Sequence, residues 1–246
     1  DIIMIFKILF LFLLANSNAL SNKNPEYIIK KTDDQFREIN NYQVDMVISI
    51  AIPAFRMPKK KYKVYFKQPD KIKVKSRGFG LLPKTGMFTS PLENFSNLSN
   101  IRFSKDLSRT NPNEIMLVGD LVLDSLALDV PNEYARLTFK PTVDVKVDTQ
   151  NWVITQVLTK IDTVKIMEIN NFYDVVDDSF YMPIRSTVEY YVKDARLSKW
   201  INKDIGTIMG NNHNMNIESD MVKGLISVNY AKYRVNRGIK DSIFED

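Results

Sequence analysis

Val143-Asp144-Val145-Lys146-Val147-Asp148 alternates apolar and charged residues without a break. In an extended chain successive side chains face opposite ways, so this stretch is a strand with one buried and one wet face. The same period continues on both sides. Residues 152–160, 164–170, 181–192 and 224–234 are rich in Val, Ile and Tyr, with Asn170-Asn171 and Asp177-Asp178 supplying turn chemistry between them. Toward the amino terminus, residues 42–52 form a Val/Ile-rich strand ending at Pro53. Residues 62–66 and 72–75 flank Gln68-Pro69-Asp70, which reads as a hairpin turn. Strands at such short spacing, with no strand–helix alternation and no internal repeat, predict an antiparallel sheet.

Three stretches break this period. Asn24-Pro25-Glu26 has a capping residue, a proline at the first helical position and an acid in the first turn. Behind it Ile28, Ile29, Thr32, Phe36 and Ile39 recur at helical spacing, which predicts an amphipathic helix to about Asn41. Residues 78–100 are apolar and turn-rich, with a short helix expected after Pro91. Residues 195–209, with Leu197, Trp200, Ile201, Ile205 and Ile208, predict a further short helix, followed by a polar loop over 210–216. The fold class is therefore α+β, a curved antiparallel sheet with a few helices against one face.

At the amino terminus Lys7 precedes the apolar run Ile8-Leu9-Phe10-Leu11-Phe12-Leu13-Leu14-Ala15, and Ser17 and Ala19 provide small residues before Leu20. That layout predicts a secretory signal peptide over residues 1–19, with an uncleaved anchor as the rival reading, Met4 as the start or else a sequence that opens mid-frame, and a single domain over 20–246. The apolar run falls short of the roughly 20 residues needed to span a bilayer. With no cysteine, the exported chain forms no disulfide and carries no thiol-linked lipid. Hydrophobic and charged fractions of 44% and 26% are those of a globular domain, and the net charge of +5 suits contact with anionic surfaces.

Residue patterns exclude several chemistries. Lys84-Thr85-Gly86 lacks the Ser-x-x-Lys and Ser-Asp-Asn partners of penicillin-binding folds, and no glycine stands before Lys84 to make a phosphate loop. His213 is the only histidine, so neither a histidine metal site nor a Ser–His relay is expected. The pairs Asp177/Asp178 and Asp144/Asp148 read as turn and surface groups. No cofactor, metal or catalytic centre is expected. Lys59, Lys60, Lys61, Lys63, Lys67, Lys71, Lys73 and Lys75 crowd one hairpin and form its wet face. Their alternation with aromatics on the opposite face argues against nucleic acid. A protected strand edge and a docking surface for anionic head groups or an acidic partner are the two readings.

Three groups of residues carry a family resemblance. They are the helix followed by Asn41-Tyr42-Gln43-Val44-Asp45-Met46; the pair Phe66-Lys67-Gln68-Pro69-Asp70-Lys71-Ile72-Lys73-Val74; and the carboxyl-terminal Val228-Asn229-Tyr230-Ala231-Lys232-Tyr233-Arg234-Val235-Asn236. In this order they resemble the LolA-type outer-membrane lipoprotein-sorting proteins and the lipid-binding superfamily around them. The resemblance implies a strongly curved, incomplete barrel whose open concave side is covered by helices over a lipid-sized apolar cavity. It implies a periplasmic carrier, in a Gram-negative bacterium, that holds acyl chains of lipoproteins or another lipid without covalent chemistry. An inner-membrane ABC transporter and an outer-membrane acceptor are the implied partners, and a monomer is expected. Relatives of the same fold sense envelope stress, which gives the alternative of a regulatory interaction protein. On this reading Ile28, Phe36, Phe66, Phe79, Leu81, Leu82, Met87, Phe88 and Trp152 are the candidate lipid-binding residues, and residues 78–95 open and close over the cargo. Trp200, Phe139, Phe172 and Tyr190 are further candidates for the lining. Gln68 stands where the family's carriers have an arginine that latches the lid; it can donate hydrogen bonds but lacks the charged guanidinium fork.

Overall fold

The three valines of the opening stretch share one buried face. In a computed structural model, Val143, Val145 and Val147 are buried on strand β7 (Pro141–Asp148). The structure describes residues 24–52, 55–56, 58–76, 90–105, 111–122, 141–192 and 222–245. The expected signal peptide, the expected helix over 195–209, and Phe79, Leu81, Leu82, Met87, Phe88, Phe139 and Trp200 lie outside the described residues.

The chain begins with helix α1 (Pro25–Arg37) and continues into β1 (Asn41–Ile52), β2 (Phe55–Arg56), β3 (Lys60–Lys67) and β4 (Lys71–Ser76). Helix α2 (Pro91–Ser96) leads into β5 (Leu98–Phe103) and β6 (Glu114–Leu121), which precede β7. The long strands β8 (Val153–Ile161), β9 (Val164–Val176), β10 (Phe180–Val192) and β11 (Val222–Val235) follow, then a 3-10 turn at Asp241–Ile243. All the described strands join one antiparallel sheet of eleven, in the order β4-β3-β1-β11-β10-β9-β8-β7-β6-β5, with β2 paired to β1. The last strand thus inserts beside the first. Among the described residues β4 and β5 each have one neighbour, so this curved sheet is not closed into a barrel.

Irregularities in register curve it and re-aim side chains. Between β1 and β11 the pairing shifts, and Lys232 adopts a φ of 56°. This bulge puts Tyr230 and Tyr233, three residues apart, at the same cavity. A second shift lies between Pro183 and Arg185 on β10, and others interrupt β7–β8 and β8–β9.

Several expectations are corrected by this arrangement. Asn170-Asn171 is not a turn: β9 runs on to Val176, and Asn171 sits mid-strand opposite Ser186. Asparagine pairs favour turns because their side chains bond locally, but here they bond across strands, Asn171 Nδ2 donating to the Ile154 carbonyl at 3.1 Å. Trp152 belongs to the turn before β8, not to the strand, with a φ of 53°. Asp144, expected on the wet face, is buried between Val118 and Leu158 of the flanking strands and ion-paired with Lys160. β2, β5 and β6 were not anticipated.

Two buried clusters fill the concave side. One joins Tyr42, Val44, Met46 and Ile48 of β1 to Tyr62, Val64 and Phe66 of β3 and to β9–β11. The other joins Val143, Val145 and Val147 of β7 to Leu117, Ile154, Val157, Ile28 and Phe95. Helix α1 lies across both, with Ile28 in the second and Phe36 against the first. Its start is fixed by Asn24, whose Oδ1 accepts from the Tyr27 amide at 2.8 Å, and by Pro25 at the first position.

Candidate functional site: a cavity at the seam of two clusters

Where the two clusters meet, they do not close. A cavity of about 150 Å³ remains beneath α1 and the first turn of α2, over β8–β11 and β1. From the first cluster it is lined by Phe36, Ile39, Tyr42, Met182 and Val188; from the second by Trp152, Ile154 and Val157. Ile169, which packs against both clusters, forms the floor between them.

Its roof is fastened by one buried carboxylate. Asp33 accepts from Arg37 Nε at 2.6 Å one turn along α1, and from the Ser90 hydroxyl at 2.8 Å. Ser90 is the cap of α2, its oxygen accepting from the Leu92 amide at 3.1 Å. So Asp33 ties α1 to the start of α2. Thr32, buried among apolar groups, satisfies its hydroxyl by donating to the Ile29 carbonyl at 2.7 Å.

The floor carries polar groups in a row. The Tyr230 hydroxyl donates to Ser186 Oγ at 3.3 Å, and Ser186 in turn donates to Asn171 Oδ1 at 2.7 Å. Tyr173 donates to the Ile154 carbonyl at 3.1 Å and Tyr233 to the Pro183 carbonyl at 2.7 Å. Burial pushes the Tyr230 phenol up to about 12 and holds those of Tyr42, Tyr173 and Tyr233 far above the ordinary tyrosine value. Every phenol in the wall is therefore neutral at physiological pH. A neutral, internally bonded wall with seven aromatic rings suits hydrocarbon and disfavours an ion.

At the edge of the cavity stands Trp152. A bulky residue at positive φ is uncommon and costs backbone energy. The ring packs edge-on against Tyr27 with centroids 6.0 Å apart, and Lys31 Nζ lies 6.0 Å above it.

Of the residues named from sequence, Phe36 and Trp152 line the cavity. Ile28 and Phe66 do not; they are buried in the core behind it, with Phe66 stacked on Tyr42 at 5.1 Å and tilted against Phe36 at 5.6 Å. Phe172 is partly exposed beneath the Arg185 guanidinium, 4.2 Å from the ring centroid, and is not a lining residue. Tyr190 is buried in the first cluster without lining the cavity. Gln68 reaches the roof from below: its side-chain amide points to the Phe36 carbonyl at 3.4 Å, while its backbone amide donates to Asn40 at 2.8 Å. It therefore steadies the end of α1. Ser186, Asn171, Tyr173, Tyr230 and Tyr233 were missed because period-two reading ignores bulges and treats paired asparagines as turns.

Among the described residues no group of three or more His, Asp or Glu side chains is placed to hold a metal ion. No helix there is long and apolar enough to cross a membrane.

No family model and no curated protein matches this chain by sequence. Solved structures match its fold. A DUF1329 family protein from Desulfovibrio piger aligns over 91% of this chain and 98% of its own, at 8% identity and a TM-score of 0.50. A domain from Vibrio parahaemolyticus described as an outer membrane lipoprotein-sorting protein aligns over 90% and 97%, at 9% identity and a TM-score of 0.50. A LolA superfamily protein from Nitrosomonas europaea aligns over 91% and 98%, at 12% identity and a TM-score of 0.47. At such identities the likeness is one of fold alone: an open antiparallel sheet shared with the DUF1329 protein and the lipoprotein-sorting domain.

Proposed function

With that fold as premise, we propose that the protein is a periplasmic carrier that holds an acyl chain in the seam cavity and moves it toward the outer membrane. Its cargo is the acyl chain of a lipoprotein or of another lipid, taken from an inner-membrane ABC transporter and passed to an outer-membrane acceptor. The observation that carries the reading is the cavity itself: a neutral, aromatic-walled hollow left where two cores fail to merge.

Size sets the terms of binding. An apolar cavity of about 150 Å³ accommodates a benzene-sized group, so the hollow takes roughly six carbons of a chain before any wall moves. At about 0.8 kcal/mol per buried CH₂, that segment contributes about 5 kcal/mol, which corresponds to dissociation constants on the order of 0.1–1 mM. This is narrower than the lipid-sized cavity expected from sequence. The estimate covers only the segment inside the hollow; a whole acyl chain, held also by movement of the roof or by surface beyond the hollow, buries more methylenes and stays bound through purification.

The test is to purify the full chain without denaturant, extract it with organic solvent and identify what it carried by mass spectrometry. Acyl-bearing lipid in near-stoichiometric amount is the expected result. Protein free of lipid that also fails to bind a fluorescent fatty acid saturably would overturn the proposal.

A further inference from the structure

The hairpin of β3 and β4 concentrates the charge of the whole chain. Its eight lysines, set against Asp70 alone, give residues 59–76 seven positive charges; the chain's excess is five, so all the rest is acidic by two. No arginine occurs in this hairpin.

Register arranges six of these lysines on one face. Tyr62, Val64 and Phe66 of β3 point into the core, so Lys61, Lys63, Tyr65 and Lys67 point outward. Opposite them on β4, Lys75 pairs with Lys63, Lys73 with Tyr65 and Lys71 with Lys67. Two lysine pairs thus stand directly across from each other, an arrangement that destabilises a sheet. Local partners relieve part of it: Asp45 lies 3.3 Å from Lys63, Asp241 lies 3.0 and 2.8 Å from Lys67 and Lys71, and Lys75 sits 5.4 Å over the Tyr65 ring.

Protection of a strand edge needs charge on β4. It does not account for Lys61, Lys63 and Lys67, because β3 is flanked on both sides, by β1 and β4. A protein partner is disfavoured by composition, since lysine is depleted from protein interfaces while arginine is enriched. An array of point charges on one face, with one aromatic ring among them, instead matches a field of phosphate groups.

We propose that the outward face of the β3–β4 hairpin docks the protein on the surface of an anionic phospholipid membrane. Each lysine near such a surface strengthens binding by about fivefold, and salt weakens it. This docking is separate from acyl binding and is read without any hydrocarbon probe, so its failure leaves the cavity proposal standing.

Co-sedimentation of the full chain with vesicles tests it, comparing phosphatidylcholine alone with phosphatidylcholine containing phosphatidylglycerol, at low and high salt. Binding is expected only to the anionic vesicles, and only at low salt. Lys61→Gln/Lys73→Gln/Lys75→Gln together should reduce it on the order of a hundredfold. The same loss of charge far from the hairpin, as Lys30→Gln/Arg102→Gln/Lys105→Gln, should reduce it severalfold at most. Thermal melts of both variants check that the sheet is intact. Binding to neutral vesicles alike, full binding by the hairpin variant, or equal loss in the two variants would overturn the proposal.

Discussion

The Ser186 hydroxyl donates to Asn171 Oδ1 at 2.7 Å across β10 and β9, in the floor of the cavity. Ser186 also receives the Tyr230 hydroxyl, so one small side chain links three strands. Removing one partner of a buried hydrogen bond leaves the others unpaired, at about 1–3 kcal/mol. Ser186→Ala should destabilise the protein by that amount in urea unfolding. Adding Asn171→Leu to Ser186→Ala should cost clearly less than the sum of the two single changes, because the groups act on each other. Strict additivity would show that the row is not a connected unit.

Val157 lies in the wall between Ile154 and Ile169. Val157→Phe places a ring in the hollow. Overpacking costs about 1–3 kcal/mol, so the protein should fold with a lower Tm while its affinity for a short-chain fatty acid drops at least tenfold by fluorescence titration. Unchanged affinity would place the cargo elsewhere.

The tyrosines of the wall predict a sharp alkaline limit. Burial raises the phenols of Tyr42, Tyr173, Tyr230 and Tyr233 above the free value of about 10. A group whose pKa is raised by folding contributes stability that is complete below its unfolded pKa and is lost as pH climbs through the folded one. Stability should therefore hold flat from neutrality to about pH 10 and fall beyond it. Ultraviolet titration should show these phenols ionising only with unfolding, while Tyr230→Phe, which removes one such group, should soften the fall.

Asp177 predicts the acid limit. Its carboxylate accepts from Arg237 at 2.9 and 3.2 Å and from the Val235 amide at 2.7 Å, which holds its pKa below the ordinary carboxylate value. A depressed pKa contributes stability above the unfolded value of about 3.9 that disappears as pH falls through the folded one. Asp177→Ala should lower Tm at neutral pH, lower it less at pH 3, and so flatten the acid limb measured by calorimetry.

How far the sequence reached is clear from particular elements. Val143, Val145 and Val147 declared their strand because charges separate them, and Asn24-Pro25 declared α1 because capping is local chemistry. The Asp177-Asp178 turn was legible for the same reason, both residues having positive φ. Phe36 was legible as a lining residue from its place on the helix stripe. Tyr230 and Tyr233 were not, since a bulge at Lys232 is needed to bring both to the cavity. Asn171 was hidden by its own turn propensity, which the cross-strand bonds to Ser186 and Ile154 override. Phe66 satisfied every sequence criterion for a lining residue and lies one layer too deep.

Trp152 offers the most direct reading of the cavity, because it is one of only two tryptophans and lines the hollow. With Trp200→Phe removing the other, its emission can be titrated with fatty acids brominated at successive carbons. An acyl chain seated in the seam should quench it saturably, most strongly for bromine at one depth along the chain, and Val157→Phe should suppress the effect. Emission that declines only linearly, without saturation and alike for every bromine position, would contradict the cavity as the place where the acyl chain is held.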